Sequence, residues 1–434
     1  MNQAILNIND ADDIGQEYSE IQTKPFSRFS QKILNWFVFF LAFPSVNVLD
    51  NSITFYLFLA IGLRVGSFWA GSFRGKTLLI FFLFLAFSSS LMAPYIARNP
   101  GFFGNVKILI QYSYWIFVSF FFITQYKRID FFQISKWIFW GILAATFGFY
   151  FYSLKFGSGV FAANFVAARN DFVFNLLCTI PISFYYILQK WGKKIALFFI
   201  PFFLLVVLLT GGRSGAVLIF LELLLVLTII FPAVLKLAKV MIPVFGLLFI
   251  VTQSDSSQIY LSALANQMES INPRFADLLR GEGDGDLTLD KSWLVRKLMV
   301  DKGIEIFKEY PVRGIGINNF YYYDSKLASF NQYDRLGGET IEYFNSRSAH
   351  NSYIQVLAEM GLPGLIVLIA LIIIPLSFFL RSFFTGAIDI SYLPLVSLFA
   401  ISMHLYAITA LTGANTWMII GLSWAILQKR KNFK

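Results

Sequence analysis

Stretches of apolar residues alternate with short polar segments along almost the whole chain. Each apolar stretch holds about 17 to 25 residues, the length of a helix that crosses the hydrocarbon core of a bilayer. The stretches run near 33–49, 52–72, 77–93, 105–124, 132–153, 171–189, 194–210, 214–231, 236–252, 362–380, 391–410 and 413–428. One long hydrophilic segment, 253–361, separates the ninth from the tenth. The pattern predicts an all-α polytopic membrane protein with about twelve transmembrane helices and one large, partly helical loop between helices nine and ten.

Basic residues are divided unevenly between the two ends of these predicted helices. With the N-terminus inside, eighteen lysines and arginines fall in the inner tails and short loops, whereas the short outer loops hold five: Arg98, Lys107, Lys155, Arg169 and Arg213. Cytoplasmic loops carry the excess of Lys and Arg. We therefore predict cytoplasmic tails at 1–32 and 429–434, transmembrane helices one to nine at 33–252, an outer loop at 253–361 and helices ten to twelve at 362–428.

The composition excludes several other classes of protein. The chain is 57% hydrophobic and only 14% charged, whereas soluble domains are about a quarter charged. The net charge of +10 follows from topology, so no nucleic-acid partner is predicted. Residues 1–30 are polar and do not resemble a secretory signal. One cysteine, Cys178, and two histidines are too few for a disulfide, a thiolate metal site or a conventional zinc centre.

An acidic run in the loop offers one alternative that involves a metal. Asp284-Gly285-Asp286 imitates the short motif that holds a metal and a nucleotide sugar in many cytosolic glycosyltransferases. The run 281–290 also loosely imitates a calcium loop, but Leu289 occupies the position that requires glycine. Such runs recur in plain linkers, and we predict neither a metal nor a cofactor.

The loop becomes periodic from Lys291 onward. At 100° per residue, one face of a predicted helix collects Trp293, Arg296, Val300, Ile304 and Phe307. Arg296 thus lies with apolar residues, where an unpaired charge is costly, so a buried partner is expected. An ion pair with the acidic run is the simpler alternative.

His350 directly precedes a second amphipathic helix, which we predict to stop at Gly361, with Pro363 opening the next transmembrane helix. The positive end of a helix disfavours imidazolium and leaves a neutral imidazole that accepts a proton. The simpler alternative is that His350 caps the helix or bonds a loop carbonyl. Asn351 is a possible supporting residue. His404, inside the eleventh stretch, is interpreted as structural, bonding across helices.

Arg213 follows two glycines, Gly211 and Gly212, between the seventh and eighth stretches. Such a turn directs backbone N–H groups to one point and, with a guanidinium, suits a diphosphate. An ordinary interfacial arginine is the alternative. Arg64, within the second stretch, is a functional candidate or a snorkelling residue. Arg169 either adds positive potential to a phosphate site or forms an ion pair with Asp171.

Three motifs occur in a fixed order: Gly-Gly-Arg-Ser-Gly at 211–215, Tyr-Pro-Val-Arg-Gly-Ile-Gly-Ile-Asn-Asn-Phe at 310–320 after the helix that carries Arg296, and His350-Asn351 followed by Glu-Met-Gly-Leu-Pro-Gly at 359–364. Over roughly 200–380, this order resembles the bacterial O-antigen ligase and O-antigen polymerase superfamily. The twelve-span layout agrees over the whole chain.

The resemblance implies a glycosyltransferase of the bacterial inner membrane with a periplasmic active site. The implied donor is a glycan on undecaprenyl diphosphate, used without metal or nucleotide. Arg213 and Arg296, with Gly211 and Gly212, match the positions that hold the diphosphate, and His350 matches the general base. The implied acceptor is a glycan or lipid A core oligosaccharide.

Two alternatives remain open. A secondary transporter would also have twelve spans, although Glu222 is the only obvious acid within one. If the protein is a glycosyltransferase, a polymerase is favoured over a ligase. Each polysaccharide gene cluster needs its own polymerase, whereas one ligase serves a genome.

Overall fold

The computed structural model describes residues 25–43, 47–48, 51–65, 74–94, 101–156, 169–209, 213–251, 263, 266–267, 291–327, 348–411 and 413–431. Its helices are α1 (Arg28–Ala42), α2 (Ile53–Val65), α3 (Arg74–Leu91), α4 (Gly101–Gln125), α5 (Phe131–Phe156), α6 (Arg169–Leu209), α7 (Arg213–Ile230), α8 (Leu235–Val251), α9 (Lys291–Glu309), α10 (Ser352–Thr385), α11 (Leu393–His404) and α12 (Ala414–Lys431). Two short strands, β1 (Asn47–Val48) and β2 (Asn51–Ser52), pair antiparallel. Single 3-10 turns lie at Tyr126–Arg128, Pro232–Val234, Asn319–Tyr322 and Ile390–Tyr392.

Two of the helices bend sharply at glycines in the left-handed region. Gly192 has φ 77° within α6, and Gly361 has φ 70° within α10. The bend in α6 separates two segments that correspond to the predicted sixth and seventh spans. The bend in α10 separates a short segment, 352–360, from the apolar segment 362–385. With these divisions, a helix overlaps each of the twelve predicted stretches.

Three helical stretches are long and apolar enough to cross a membrane: Asn105–Arg128, Asp171–Val207 and Ser352–Thr385. Shorter apolar helices lie at Ile53–Gly62, Gly75–Leu91, Val217–Ile230 and Ile390–His404. The described chain is thus a helical membrane protein, and the number of crossings stays a prediction.

Two of the predicted spans are wrong at their C-terminal ends. The first helix ends at Ala42 instead of near 49, because Phe43 precedes a proline and is pushed out of helical backbone. The eleventh helix ends at His404, and the chain then turns through 405–407.

Helix α6 lies at the centre of the packing, in contact with α5, α7 and α11, while α12 packs on α4 and α11. A cluster of hydrogen bonds made by polar side chains links the C-terminal end of α1 to α6 and α12. Asn175 Nδ2 donates to the Ala42 carbonyl (2.7 Å), and Asn415 Nδ2 donates to the Leu41 carbonyl (2.9 Å) and to Asn175 Oδ1 (2.5 Å). Since buried polar groups require partners, these bonds fix the relative heights of α1, α6 and α12.

The C-terminal end of α10 contacts a basic residue of α8, because Lys239 Nζ donates to the Phe384 carbonyl (2.8 Å). Elsewhere, the guanidinium of Arg128 lies 4.9 Å from the ring centre of Phe26, just before α1. The topology that the charge asymmetry indicates stays a prediction.

The buried face of α9 differs from the prediction. The face that packs inward holds Leu298, Met299, Lys302, Gly303 and Ile306, while Ile304 is 37% exposed. Of the residues predicted to share one face with Arg296, Ile304 is exposed, Val300 and Phe307 are half-buried like Arg296 itself, and the side chain of Trp293 lies outside the described part of the chain. The physical reason is close helix approach: a Cβ on Gly303 would lie 2.2 Å from Ile354 Cγ2 in α10, so the helix turns this glycine toward its neighbour.

Candidate active site

The helix that follows His350 begins with a well-formed cap. The side chain of Asn351 accepts hydrogen bonds from the backbone N–H groups of Tyr353 (3.0 Å) and Ile354 (3.1 Å). Asn351 is therefore the N-cap, and the capping role considered for His350 belongs to its neighbour. His350 is half-buried and has φ 48°. A non-glycine residue in this region is held there by its surroundings.

Ser352 anchors the start of this helix to the C-terminal end of α11. Its backbone N–H donates to the carbonyl of Leu405 (2.8 Å) and its hydroxyl donates to that of Ile408 (2.8 Å). The same hydroxyl accepts from the N–H of Ala410 (3.0 Å). These bonds occupy carbonyls that the turn after His404 leaves without helical partners. The position of His350 is thereby fixed against α11.

The glycine-rich segment 310–320 docks along the end of the same short helix. The N–H groups of Ile315 and Gly316 donate to the carbonyls of Ala358 (3.0 Å) and Glu359 (2.9 Å), and the N–H of Leu362 donates to the carbonyl of Pro311 (2.8 Å). Backbone contact this close needs glycine on both sides. A Cβ on Gly314 would lie 2.3 Å from the Glu359 backbone, and one on Gly361 would lie 2.4 Å from the Val312 carbonyl.

Glu359 is the buried acid at the centre of this docking contact, with 1% of its surface exposed. Its Oε1 accepts from Gln355 Nε2 (3.1 Å) and from the N–H of Phe320 (3.4 Å). The N–H of Asn318 also bonds the carboxyl. Burial raises the pKa of Glu359 to about 8, against the opposing effect of these hydrogen bonds.

Glu359 lies before the bend at Gly361 and outside the apolar segment that follows. At 1.5 Å per residue, the 34 residues of α10 would extend about 51 Å, well beyond the roughly 30 Å of a bilayer core. This length fits the predicted boundary of the loop at residue 361, which assigns the first segment of α10 to the loop and stays a prediction.

Tyr321 connects the docked segment to the helical bundle. Burial, followed by the charge of Glu359, raises the pKa of Tyr321 to about 12, and the hydroxyl bonds with Ser348, two residues before His350. Tyr321 also interacts electrostatically with Asp171 at the start of α6. Tyr112 of α4 interacts with both Glu359 and Tyr321. These groups all lie at one end of the bundle.

Arg296 approaches the same end through His404. The charge of Arg296 acts on the His404 imidazole, whose ring stacks on Phe174 of α6 with 5.9 Å between ring centres. The residue before Phe174, Val173, lies against Gly215, where an added Cβ would be 2.2 Å from Val173 Cγ1. The first turn of α7, which Arg213 opens, thus packs on the same turn of α6 that His404 contacts.

One family model matches part of the chain. Residues 196–369 match the family model described as O-antigen ligase. The match supports the O-antigen ligase and polymerase superfamily that the sequence motifs resemble. The O-antigen ligase match runs from the second half of α6 into α10 and includes Arg213, Arg296 and His350. Its members are glycosyltransferase-like membrane enzymes. A search of curated proteins gave no match.

The predicted site residues differ in how much of them the structure describes. Arg296, His350 and Asn351 are described with their side chains. Arg213 begins α7, Arg64 lies in α2 and Arg169 begins α6, but the side chains of these three arginines lie outside the described part of the chain. Gly211, Gly212 and the acidic run 281–290 also lie outside it.

Sequence reasoning missed the buried position of Glu359 and the surroundings of Tyr321 and His404. The sequence did contain a signal for Glu359, since this acid lies between Gln355 and Gly361 in the motif that carries the resemblance. An acid inside an amphipathic turn that ends at a glycine is a candidate for a buried hydrogen-bonding centre. The surroundings of Tyr321 and His404 come from distant parts of the chain and leave no local pattern.

Proposed function

We propose that the protein transfers a glycan from undecaprenyl diphosphate to a sugar hydroxyl at the periplasmic face of the bacterial inner membrane, and that it acts as a polysaccharide polymerase. The observation that carries the proposal is the match of residues 196–369 to the O-antigen ligase family, a segment that includes Arg296 and His350. The geometry around His350 supports it, because the helix that begins beside His350 bonds the Leu405 carbonyl. The neighbouring residue His404 is within the electrostatic influence of Arg296.

The arginines act on the leaving group. As the bond between the anomeric carbon and the phosphate oxygen breaks, negative charge grows on the lipid diphosphate. Two guanidinium groups, Arg213 and Arg296, stabilise this charge with paired hydrogen bonds to phosphate oxygens. N–H groups of Gly211 and Gly212 add neutral donors. Arg169 and Arg64 are possible supporting charges, and the reaction needs no metal or cofactor.

His350 acts on the acceptor. Its imidazole takes the proton of the attacking hydroxyl while the hydroxyl oxygen bonds the anomeric carbon. Undecaprenyl diphosphate leaves from the opposite face, so the reaction inverts the anomeric centre. Asn351 supports the base by capping the helix that begins beside it.

Aromatic side chains beside His350 suit a carbohydrate acceptor. Tyr321 hydrogen-bonds near His350 through Ser348, and Tyr322 follows it in the same 3-10 turn. Tyrosine rings and hydroxyls stack and bond sugar rings. A glycan chain and a lipid A core oligosaccharide both fit this chemistry, so O-antigen ligase is the alternative function.

The acceptor is tested with purified protein and defined lipids. Given only undecaprenyl-diphosphate-linked repeat units, the polymerase is expected to make a ladder of longer lipid-linked glycans, seen by gel and mass spectrometry. Product that forms only after lipid A core is added, and on that lipid, identifies a ligase instead. The His350→Ala protein serves as the inactive control in both arms.

A further inference from the structure

His404 is a buried polar side chain that the proposed mechanism leaves unused. It ends α11 and is 1% exposed. Neither ring nitrogen has a hydrogen-bond partner within the described residues, so the bond across helices expected from the sequence is not found there. Its ring is held by the stack on Phe174, with 18° between the planes. The imidazole is therefore well oriented and carries hydrogen-bonding capacity that its described neighbours do not use.

The elements around His404 carry residues of the proposed reaction. Arg296 acts on the ring electrostatically. The next residue, Leu405, accepts the backbone hydrogen bond of Ser352, two residues after His350. His404 thus lies beside the anchored start of the helix that follows His350. An imidazole has at least one N–H donor in either protonation state, and a guanidinium next to an N–H donor binds phosphate oxygens well.

We propose that His404 contacts the donor substrate, donating a hydrogen bond from its imidazole to the diphosphate that Arg296 holds. The proposal rests on the proposed function and extends the diphosphate site onto α11. A buried polar group costs free energy when it stays unbonded and contributes to affinity when a ligand satisfies it. His404 of α11 and Arg296 of α9 together bind the diphosphate.

The first test separates hydrogen bonding from packing. His404→Phe keeps an aromatic ring to stack on Phe174 and removes the donor, whereas His404→Gln keeps an N–H donor of similar reach. Ser397→Ala is the matched control: Ser397 is buried in the same helix, two turns earlier, and its hydroxyl also lacks a partner among the described residues. Each purified variant is titrated with undecaprenyl diphosphate, with inorganic diphosphate and with undecaprenol, and binding is followed by thermal stabilisation.

The expected result is a loss of affinity for undecaprenyl diphosphate of about tenfold or more in His404→Phe, because a hydrogen bond to a charged group is lost. The KM of the donor should rise with it. His404→Gln should recover most of the affinity, and Ser397→Ala should bind like the wild type. Binding of inorganic diphosphate that is equally sensitive to His404→Phe means that the phosphates alone are recognised. Unchanged affinity for undecaprenyl diphosphate in His404→Phe overturns the proposal.

The second test does not depend on how well the Phe variant folds. The chain has only two histidines, so ¹⁵N-histidine labelling of His350→Gln leaves one imidazole, that of His404. Undecaprenyl diphosphate should shift its ring nitrogen resonances, and undecaprenol should not. Resonances that stay unchanged at saturating diphosphate overturn the proposal. If the wild type binds no polyprenyl diphosphate at all, it is the proposed function that fails.

Discussion

Arg296 and His350 are 54 positions apart in the sequence and lie on separate elements. Arg296 lies in α9 and its charge acts on His404, whereas His350 precedes α10, which Ser352 anchors on Leu405. Because separate elements carry the two residues, each can be changed without altering the support of the other. The chemistry assigned to them is therefore open to single substitutions.

For the arginines, we expect Arg213→Ala and Arg296→Ala to lower kcat about 10²-fold to 10³-fold, the cost of removing one donor to a developing anion. Lysine at either position should restore little, since an ammonium does not bond two phosphate oxygens in one planar fork. Donor turnover is measured beside the melting temperature of each variant. Full activity in the Lys variants would mean that only the positive charge matters.

For the base, His350→Ala is expected to lower kcat about 10²-fold to 10⁴-fold, with little effect on the affinity for undecaprenyl diphosphate. The matched control is Asn351→Ala, which removes the helix cap and should lower the melting temperature as well as the rate. A His350→Ala protein with wild-type kcat would leave arginine-assisted departure as the whole mechanism.

For Glu359, we expect a change in how stability depends on pH. Its pKa is raised from 4.5 to about 8 by burial, so the folded protein keeps a proton that the unfolded chain releases. Between those values the folded state binds more protons, and stability falls as pH rises through this window, by an amount on the order of a few kcal/mol. Glu359→Gln does not titrate, so its melting temperature should fall less between pH 5 and roughly pH 8 than that of the wild type.

Glu309→Gln is the control for this pH experiment. A hydrogen bond from Lys326 lowers the pKa of Glu309, so its stabilisation is lost as pH falls and its removal should not reduce the loss at high pH. Equal slopes for Glu359→Gln and the wild type would contradict the buried, proton-holding state of Glu359.

At the scale of elements, the docking of 310–320 against the first segment of α10 depends on glycine. Gly361→Ala should destabilise the protein by roughly 2 kcal/mol or more and lower activity, because the new Cβ meets the Val312 carbonyl at 2.4 Å. Gly192→Ala is the matched control, since Gly192 has φ 77° but nothing within 4 Å of an added Cβ. The difference in melting temperature between the two variants isolates the crowding. Equal destabilisation in both variants would mean that the positive φ alone, and not crowding of the Cβ, explains why position 361 requires glycine.

The sequence predicted this docking segment only in part. Gly361 as the end of the short helix and Pro363 as the start of the next segment follow from local rules, and both agree with the bend at Gly361. The inward face of α9 was predicted wrongly, because apolar periodicity gave no weight to Gly303, which packs on Ile354. Nor does periodicity predict that Lys302 is buried with its Nζ 4.8 Å from the Phe320 ring centre, since that contact joins separate elements.

The candidate site was also predicted only in part, because local motifs are visible in the sequence and contacts between separate elements are not. The motifs identified Arg213, Arg296 and His350 because each has a local signature. The role proposed for His404 depends on Arg296 and Phe174, which lie on two other helices, α9 and α6. A single-residue signal inside an apolar stretch does not contain that information.

At the scale of the whole molecule, the two ends of the bundle differ in chemistry. One end gathers His350, Glu359 and Tyr321, and the far end of α10 lies beside Lys239. The positive-inside rule assigns the basic end to the cytoplasm. A phosphatase reporter that is active only in the periplasm should therefore be active when fused after Asp324 and inactive when fused after Thr385 or Lys434. The reverse pattern would invert the topology and move the candidate site to the cytoplasm.

The central claim is that the donor is a glycan on a polyprenyl diphosphate and that its departure needs no metal or nucleotide. The most direct measurement counts undecaprenyl diphosphate released by the purified protein, in a chelator, against new glycosidic bonds in the product. The account predicts one released lipid diphosphate for each bond, an inverted anomeric centre and loss of both products in His350→Ala. Bond formation without release of undecaprenyl diphosphate, or release that requires a divalent cation or a nucleotide, would contradict it.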